Sequence, residues 1–253
     1  MNKKECAIDL QLGDCLEVMK TIKDKSIDAV ITDPPYGTTA CKWDSVIPFD
    51  LMWKQLNRII KPNGAIVLFG SEPFSSALRM SNIKNYKYDW VWEKNRPVGY
   101  MNAKARPLKT LENVIVFSNV RCDGAKNLMT YNAQGLVDVN IKITNSKSKA
   151  NGVGAGIRSP LTSKKYTQRK TNYPKDKLKI NTDVTKFHPT QKPIALMEYL
   201  IKTYTNENET VLDFTMGSGT TGVACKNLCR NFIGIEKDLL QFEQAKERIE
   251  NHI

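Results

Sequence analysis

Apolar positions along the chain alternate between two periods. Short runs of strand character, Ala7–Leu12, Ile27–Thr32, Ala65–Phe69, Trp90–Trp92 and Val114–Phe117, are separated by stretches with helical spacing, Cys15–Ile22, Phe49–Ile60 and Phe74–Met80. Lys61-Pro62-Asn63-Gly64 reads as a helix stop and a turn into the next strand. After Pro193 the pattern resumes as helix Ile194–Thr203, strand Thr210–Phe214, helix Thr221–Leu228, strand Phe232–Glu236 and helix Leu239–Ile249. Such alternation predicts an α/β fold, a wound and mostly parallel sheet with helices on both faces. From about Arg121 to Lys186 the texture changes to Asn, Lys, Ser, Thr and Gly, with too few large apolar side chains for an independent core. The chain is therefore expected to divide into residues 1–120, an inserted region 121–186, and residues 187–253. Within the insertion, residues 145–156, NSKSKANGVGAG, are expected to be poorly ordered without a partner.

Charge sharpens this division. The net charge of +12 points to a polyanionic partner. From Lys84 to Lys192 there are 22 Lys and Arg against 7 Asp and Glu, net +15, while the remainder carries 16 against 19, net −3. The basic charge thus belongs to one region. Six cysteines lie at 6, 15, 41, 122, 225 and 229, without a C-x-x-C pair and without a signal peptide ahead of them, and read as reduced cytoplasmic thiols. Two histidines, His188 and His252, cannot assemble a zinc site with cysteines so spaced, so no metal is expected. No apolar stretch approaches a membrane span, and no membrane partner is expected.

Two short segments carry chemistry. Gly217-x-Gly219-x-x-Gly222 stands between a predicted strand and a predicted helix, and Glu236 ends the next strand 19 residues after Gly217. An acid about 20 residues beyond such glycines holds ribose hydroxyls in nucleotide-binding turns, where the helix start offers free N–H groups. Taken alone, a tight structural turn or a nicotinamide-dependent dehydrogenase would explain the glycines. The second segment, Asp33-Pro34-Pro35-Tyr36, directly follows the apolar run Ile27–Thr32. Prolines end strands, so an acid and a ring are held on a stiff turn at a strand's carboxyl end, the edge where open α/β sheets bind ligands.

Asp213-Phe214-Thr215-Met216-Gly217-Ser218-Gly219-Thr220-Thr221 resembles the S-adenosylmethionine motif of amino-methylating DNA methyltransferases. In that family Asp-Pro-Pro-Tyr is the catalytic motif. With the catalytic motif 180 residues ahead of the cofactor motif, the chain is similar to the circularly permuted β class, whose sheet is a Rossmann-like methyltransferase sheet. The resemblance covers everything except roughly residues 121–186, which in this class is the target-recognition region.

The resemblance implies roles residue by residue. Asp213, Phe214, Gly217, Ser218, Gly219 and Thr220 would cradle the cofactor, with Glu236 on the ribose, Asp14 at the adenine end, and Asp33 counted on the cofactor side as well. The segment HPTQKP carries over His188, Thr190, Gln191 and Lys192 as residues closing over the methionine carboxylate. Asp33 and the Pro34 carbonyl would accept the two N–H bonds of an exocyclic amino group, with Pro35 stiffening the turn and Tyr36 stacking on the flipped base. Lys94, Arg96, Lys104, Arg106 and Lys109 would meet DNA phosphates. No cysteine follows a proline, so the Pro-Cys nucleophile of C5-cytosine enzymes is missing. The expected activity is DNA adenine-N6 methylation by S-adenosylmethionine, because cytosine-N4 relatives more often carry Ser in place of Asp33. Cytosine-N4 methylation stays as the alternative. Expected partners are double-stranded DNA, a second copy in a homodimer, and a cognate restriction endonuclease. A non-enzymatic DNA-binding module would explain the charge but neither motif.

Overall fold

A computed structural model describes residues 6–38, 44–123, 126–144, 165–183 and 191–252. Its main unit comprises residues 1–132 and 176–253, and a second compact unit spans Ala133–Lys175. The main unit holds an eight-stranded sheet of β1 (Ile8–Leu12), β2 (Ile27–Thr32), β3 (Ile60–Gly70), β4 (Tyr86–Val98), β5 (Lys109–Phe117), β8 (Lys177–Lys179), β9 (Thr210–Asp213) and β10 (Asn231–Glu236), in the order β1-β10-β9-β2-β3-β5-β4-β8. Strands β1, β10, β9, β2 and β3 run parallel, β5 is antiparallel to both β3 and β4, and β8 is parallel to β4.

The central strands are buried on both faces, and successive side chains divide between two layers. Ala29 and Ile31 of β2, Val67 and Phe69 of β3, and Val114 and Val116 of β5 face one layer, covered by α4 (Ile194–Tyr204), α5 (Thr220–Asn227) and α6 (Leu239–Glu250). Val30 of β2, Ile66 and Leu68 of β3, and Ile115 and Phe117 of β5 face the other, covered by α1 (Cys15–Val18), α2 (Phe49–Ile59) and α3 (Phe74–Ser81). The wound α/β architecture is as the alternation predicts.

Several boundaries differ, each for a local reason. Lys61-Pro62-Asn63-Gly64 does not stand outside the strand. Ile60 already pairs with Ile27, and pairing resumes at Ala65 with Ala29, so the four residues bulge within β3. The bulge keeps its backbone partners, because Ser118 Oγ donates to the Gly64 carbonyl at 2.8 Å and Thr130 N donates to the Asn63 carbonyl at 2.9 Å. A Cβ at Gly64 would lie 2.7 Å from the Asp28 carbonyl, which explains glycine there. Strand β4 is far longer than Trp90–Trp92, because only Trp90 and Trp92 are buried on it and the polar residues around them obscure the period. The predicted helix Cys15–Ile22 is one α-turn that tightens into a 3-10 turn at Met19–Thr21.

Within the second unit, β6 (Val137–Thr144) and β7 (Lys165–Thr171) form an antiparallel pair, closed by Asn172 Nδ2 donating to the Gly135 carbonyl at 2.7 Å. Composition did not reveal these strands, since neither carries a continuous apolar run. Residues 145–156 lie outside the described residues.

Candidate active site

The parallel strands set their carboxyl ends along one edge. There Gly13-Asp14 leaves β1, Asp33 leaves β2, the glycine turn leaves β9, and Glu236 ends β10. They line a single cleft of about 1070 Å³. The two motifs, far apart in sequence, meet through hydrogen bonds at its floor. Asp213, buried at the end of β9, accepts from Thr32 Oγ1 and Thr221 Oγ1, each at 2.5 Å, and from Thr215 N at 3.2 Å. Thr215 Oγ1 in turn donates to the Asp33 carbonyl at 3.3 Å. Burial drives the Asp213 pKa up to about 6, against the pull of the two threonine hydroxyls. Asp213 therefore ties the two strand ends together beneath the cleft.

The glycine turn is held from three sides. Glu236 Oε2 accepts from Gly217 N at 3.0 Å, and its Oε1 accepts from Lys237 N and Asp238 N, each at 2.9 Å. Arg248 of α6 donates to the Ser218 carbonyl at 2.8 Å and to Thr220 Oγ1 at 3.1 Å. Gly219 caps α5 at φ +74°, and a Cβ there would lie 3.1 Å from Ala245 Cβ, so its role in the geometry is to seat α5 against α6. Gly217, Ser218 and Thr220 line the cleft; Gly219 is not among the lining residues. Phe214 lines it too, with only 1% of its surface exposed. Asp14 caps α1, accepting from Leu16 N at 2.8 Å.

On the β2 side, the turn Asp33–Tyr36 is clamped by Asp44, which accepts from the N–H groups of Tyr36, Gly37 and Thr38 at 2.7, 2.8 and 2.9 Å. Asp33 itself enters a charged cluster. Tyr36 Oη donates to Asp33 Oδ1 at 2.5 Å, and Lys192 Nζ pairs with Asp33 Oδ2. Glu112, buried in β5, pairs with Lys192 at 2.8 Å and with Lys94 at 2.5 Å, and accepts from Tyr36 Oη at 3.3 Å. Burial pushes the Asp33 carboxyl up and Lys192 pulls it down; with the Glu112 charge close by, the net direction is upward. For Glu112 burial is outweighed by Lys192 and Lys94, which bring it down to about 2. The Tyr36 hydroxyl is pushed well up by burial and by both carboxylates. One face of the Tyr36 ring stacks on Phe74, with centroids 5.0 Å apart.

The remaining expected residues fall into three groups. Gln191 and Lys192 line the cleft, Lys192 directed at Asp33 and Glu112, and Gln191 donating to Asp183 at 3.1 Å; His188 and Thr190 lie outside the described residues. Lys94, Arg106 and Lys109 line the cleft, with Lys94 bound to Glu112 and Lys109 donating to Ser71 Oγ. Arg96 and Lys104 are exposed and do not line it. Sequence reading missed Glu112, Asp44, Thr32 and Arg248. Only Glu112 carried a signal, as a lone acid beside the apolar run Val114–Phe117. Among the described residues no group of His, Cys, Asp and Glu could hold a metal ion, and no helix is long and apolar enough to cross a membrane.

Known proteins share this fold. The structure is similar to the crystal structure of an M1.HpyAVI-SAM complex, with 31% identity, 95% of this chain and 99% of that chain covered, and a TM-score of 0.59. It also superposes on the cytosine-N4-specific PvuII DNA methyltransferase at a TM-score of 0.69, covering 99% of this chain and 89% of that one; at 18% identity this shows the fold alone. The type II methyltransferase M.HinfI of Haemophilus influenzae is 27% identical over 265 residues, 94% of this chain and 67% of that protein. M.HpaI of Haemophilus parainfluenzae is 27% identical over 94% of this chain and 73% of its own length. The DNA methylase family of N6/N4 type matches residues 27–247, and the chain belongs to that family.

Proposed function

We propose that this DNA methylase transfers a methyl group to the N6 amino group of adenine in double-stranded DNA, as a β-class enzyme. The observation that carries the reading is the junction of Asp33 with the glycine turn in one cleft, through Thr32, Thr215 and Asp213. S-adenosylmethionine is the cofactor, and it supplies the activated methyl group. The residues fit it: the cleft has the size of a ligand site, the carboxylates Asp14 and Glu236 line it, and the turn Gly217–Thr220 opens a helix N-terminus onto it. We assign Asp14 and Glu236 to the adenosine part and the turn, with Phe214 and Gln191, to the rest; His188 and Thr190 join them on the strength of the resemblance.

An exocyclic amino nitrogen is a poor nucleophile because its lone pair is delocalised into the ring. Asp33 corrects this by accepting one N–H while the Pro34 carbonyl accepts the other, localising the lone pair. Tyr36 and Lys192 each occupy one site on a different Asp33 oxygen, and a carboxylate offers about four, so capacity for the target remains. A carboxyl pushed upward by burial is also suited to take the proton that the nitrogen loses. Lys192 is better assigned to holding Asp33 than to a cofactor carboxylate. Target recognition is assigned to the basic stretch between the motifs, and a cognate endonuclease, as type II naming of the relatives would have it, belongs to the same proposal.

Methylation-aware sequencing of DNA from cells expressing the protein tests the reading. N6-methyladenine at a recurring motif is the expected result; N4-methylcytosine would transfer the assignment to the other base, and unmodified DNA would overturn it.

A further inference from the structure

Strands β4 and β5 are joined by a tip that, among the described residues, no other element covers. All ten residues from 98 to 107 are exposed, and nothing lies within 4 Å of where a side chain on Gly99 would begin. The tip is nonetheless built. Val98 pairs with Lys109 at its base, and Asn102, Ala103, Ala105 and Arg106 donate backbone N–H groups to the carbonyls of Gly99, Tyr100, Asn102 and Asn102 at 3.0, 3.1, 2.9 and 3.0 Å. At its apex Met101 is fully exposed, at 101%, and Tyr100 is 65% exposed. Solvated turns ordinarily carry polar residues at such points. This one carries a thioether and an aromatic ring on a hydrogen-bonded turn, in a segment, residues 94–109, with no acid and five Lys and Arg, of which Lys94 is paired with Glu112. Val98, Arg106 and Lys109 at its base line the same cleft as Asp33.

An apolar apex on a cationic stem fits a partner that presents negative charge outside and stacked apolar surface inside. Duplex DNA is such a partner. Minor-groove and architectural proteins insert Met, Leu or Phe between base steps and unstack them. An enzyme that acts on a base must first extrude it, at the cost of unstacking. We propose that Met101 and Tyr100 form a wedge that enters the base stack beside the target, filling the space left as the base turns toward Asp33. The proposal rests on the methyltransferase reading.

The test compares Tyr100→Ala/Met101→Ala with wild type, using duplexes that carry the motif found by sequencing. One duplex has the target base paired and the other has it opposite an abasic site, where little pairing remains to be broken. The variant should lose about ten- to a hundredfold in kcat/KM on the paired duplex, the range of a lost stacking contact, and recover to within a few fold on the one with the abasic site. Met101→Leu should stay near wild type. Both side chains are exposed, so melting temperature and S-adenosylmethionine affinity should not move. Equal loss on both duplexes would assign the tip to binding, and wild-type activity on the paired duplex would leave it without a role; either result overturns the wedge. Loss of binding to phosphatidylserine vesicles, with DNA activity intact, would overturn it in favour of a membrane surface. A wild-type protein that methylates no DNA would instead refute the methyltransferase reading itself.

Discussion

Glu112→Gln is the most informative perturbation of the site, because it changes one charge and almost no volume. Glu112 keeps only 7% of its side-chain surface exposed and meets two lysines, Lys192 at 2.8 Å and Lys94 at 2.5 Å, whose side chains are themselves 10% and 19% exposed. Removing one partner from a buried ion pair costs about 3–5 kcal/mol, and Gln, which still offers one acceptor, should fall near the lower value, about 3 kcal/mol. At roughly 2–4 °C per kcal/mol for a chain of this size, the melting temperature should drop by about 6–12 °C. The change should also reach the chemistry. Without Glu112, Asp33 becomes the one carboxylate left to Lys192 in this cluster, and the tighter pair competes with the target amino group, so kcat should fall while S-adenosylmethionine affinity holds. Thermal melting, calorimetry and a filter-binding methylation assay read the three effects, and a double-mutant cycle with Lys94→Met should show coupling of about 1 kcal/mol or more. A melting temperature within 2 °C of wild type together with unchanged kcat would refute the view that Glu112 holds Lys192 and, through it, Asp33.

Three other outcomes follow from the same geometry. Asp33→Ala should abolish methyl transfer and leave S-adenosylmethionine affinity within a few fold by calorimetry; residual wild-type turnover would remove Asp33 from the chemistry. Tyr36→Phe keeps the ring on Phe74 but removes the hydroxyl on Asp33, a hydrogen bond to a charged group worth about 1.5–3 kcal/mol, so kcat should fall at least about tenfold, and an unchanged kcat would show the hydroxyl idle. Asp213 has a folded pKa of about 6 against an ordinary value of 3.8, so its contribution to stability is present below the lower value and is lost as pH rises through the higher one, by roughly 3 kcal/mol. Denaturant titrations of wild type and Asp213→Asn between pH 3.5 and 7 should therefore diverge with that sign, and parallel profiles would contradict it.

The sequence by itself determined the architecture and the two motifs. Wherever burial is total, as along β2 or Ala65–Phe69, hydrophobic period and element coincide, because such a strand has no polar face to blur it. Asp-Pro-Pro-Tyr and the glycine turn were legible for a related reason: both are local devices whose residue types are required at fixed spacing. Half-exposed strands were harder to read: β4 buries only two tryptophans, β7 is polar almost throughout, and the alternation of β6, Val137, Val139, Ile141 and Ile143 between polar residues, was passed over for the polar composition around it. Tertiary structure alone decided who meets whom in the cleft. Glu112 reaches Tyr36 across 76 positions, Lys192 reaches Asp33 across 159, and Thr32 reaches Asp213 across 181. Nothing local in a chain encodes such pairs: Thr32 and Asp213 meet because parallel β2 and β9 deliver their carboxyl ends to one edge, whereas Glu112 arrives on the antiparallel strand β5 and Lys192 on the segment entering α4, both placed by the packing of the sheet and its helices.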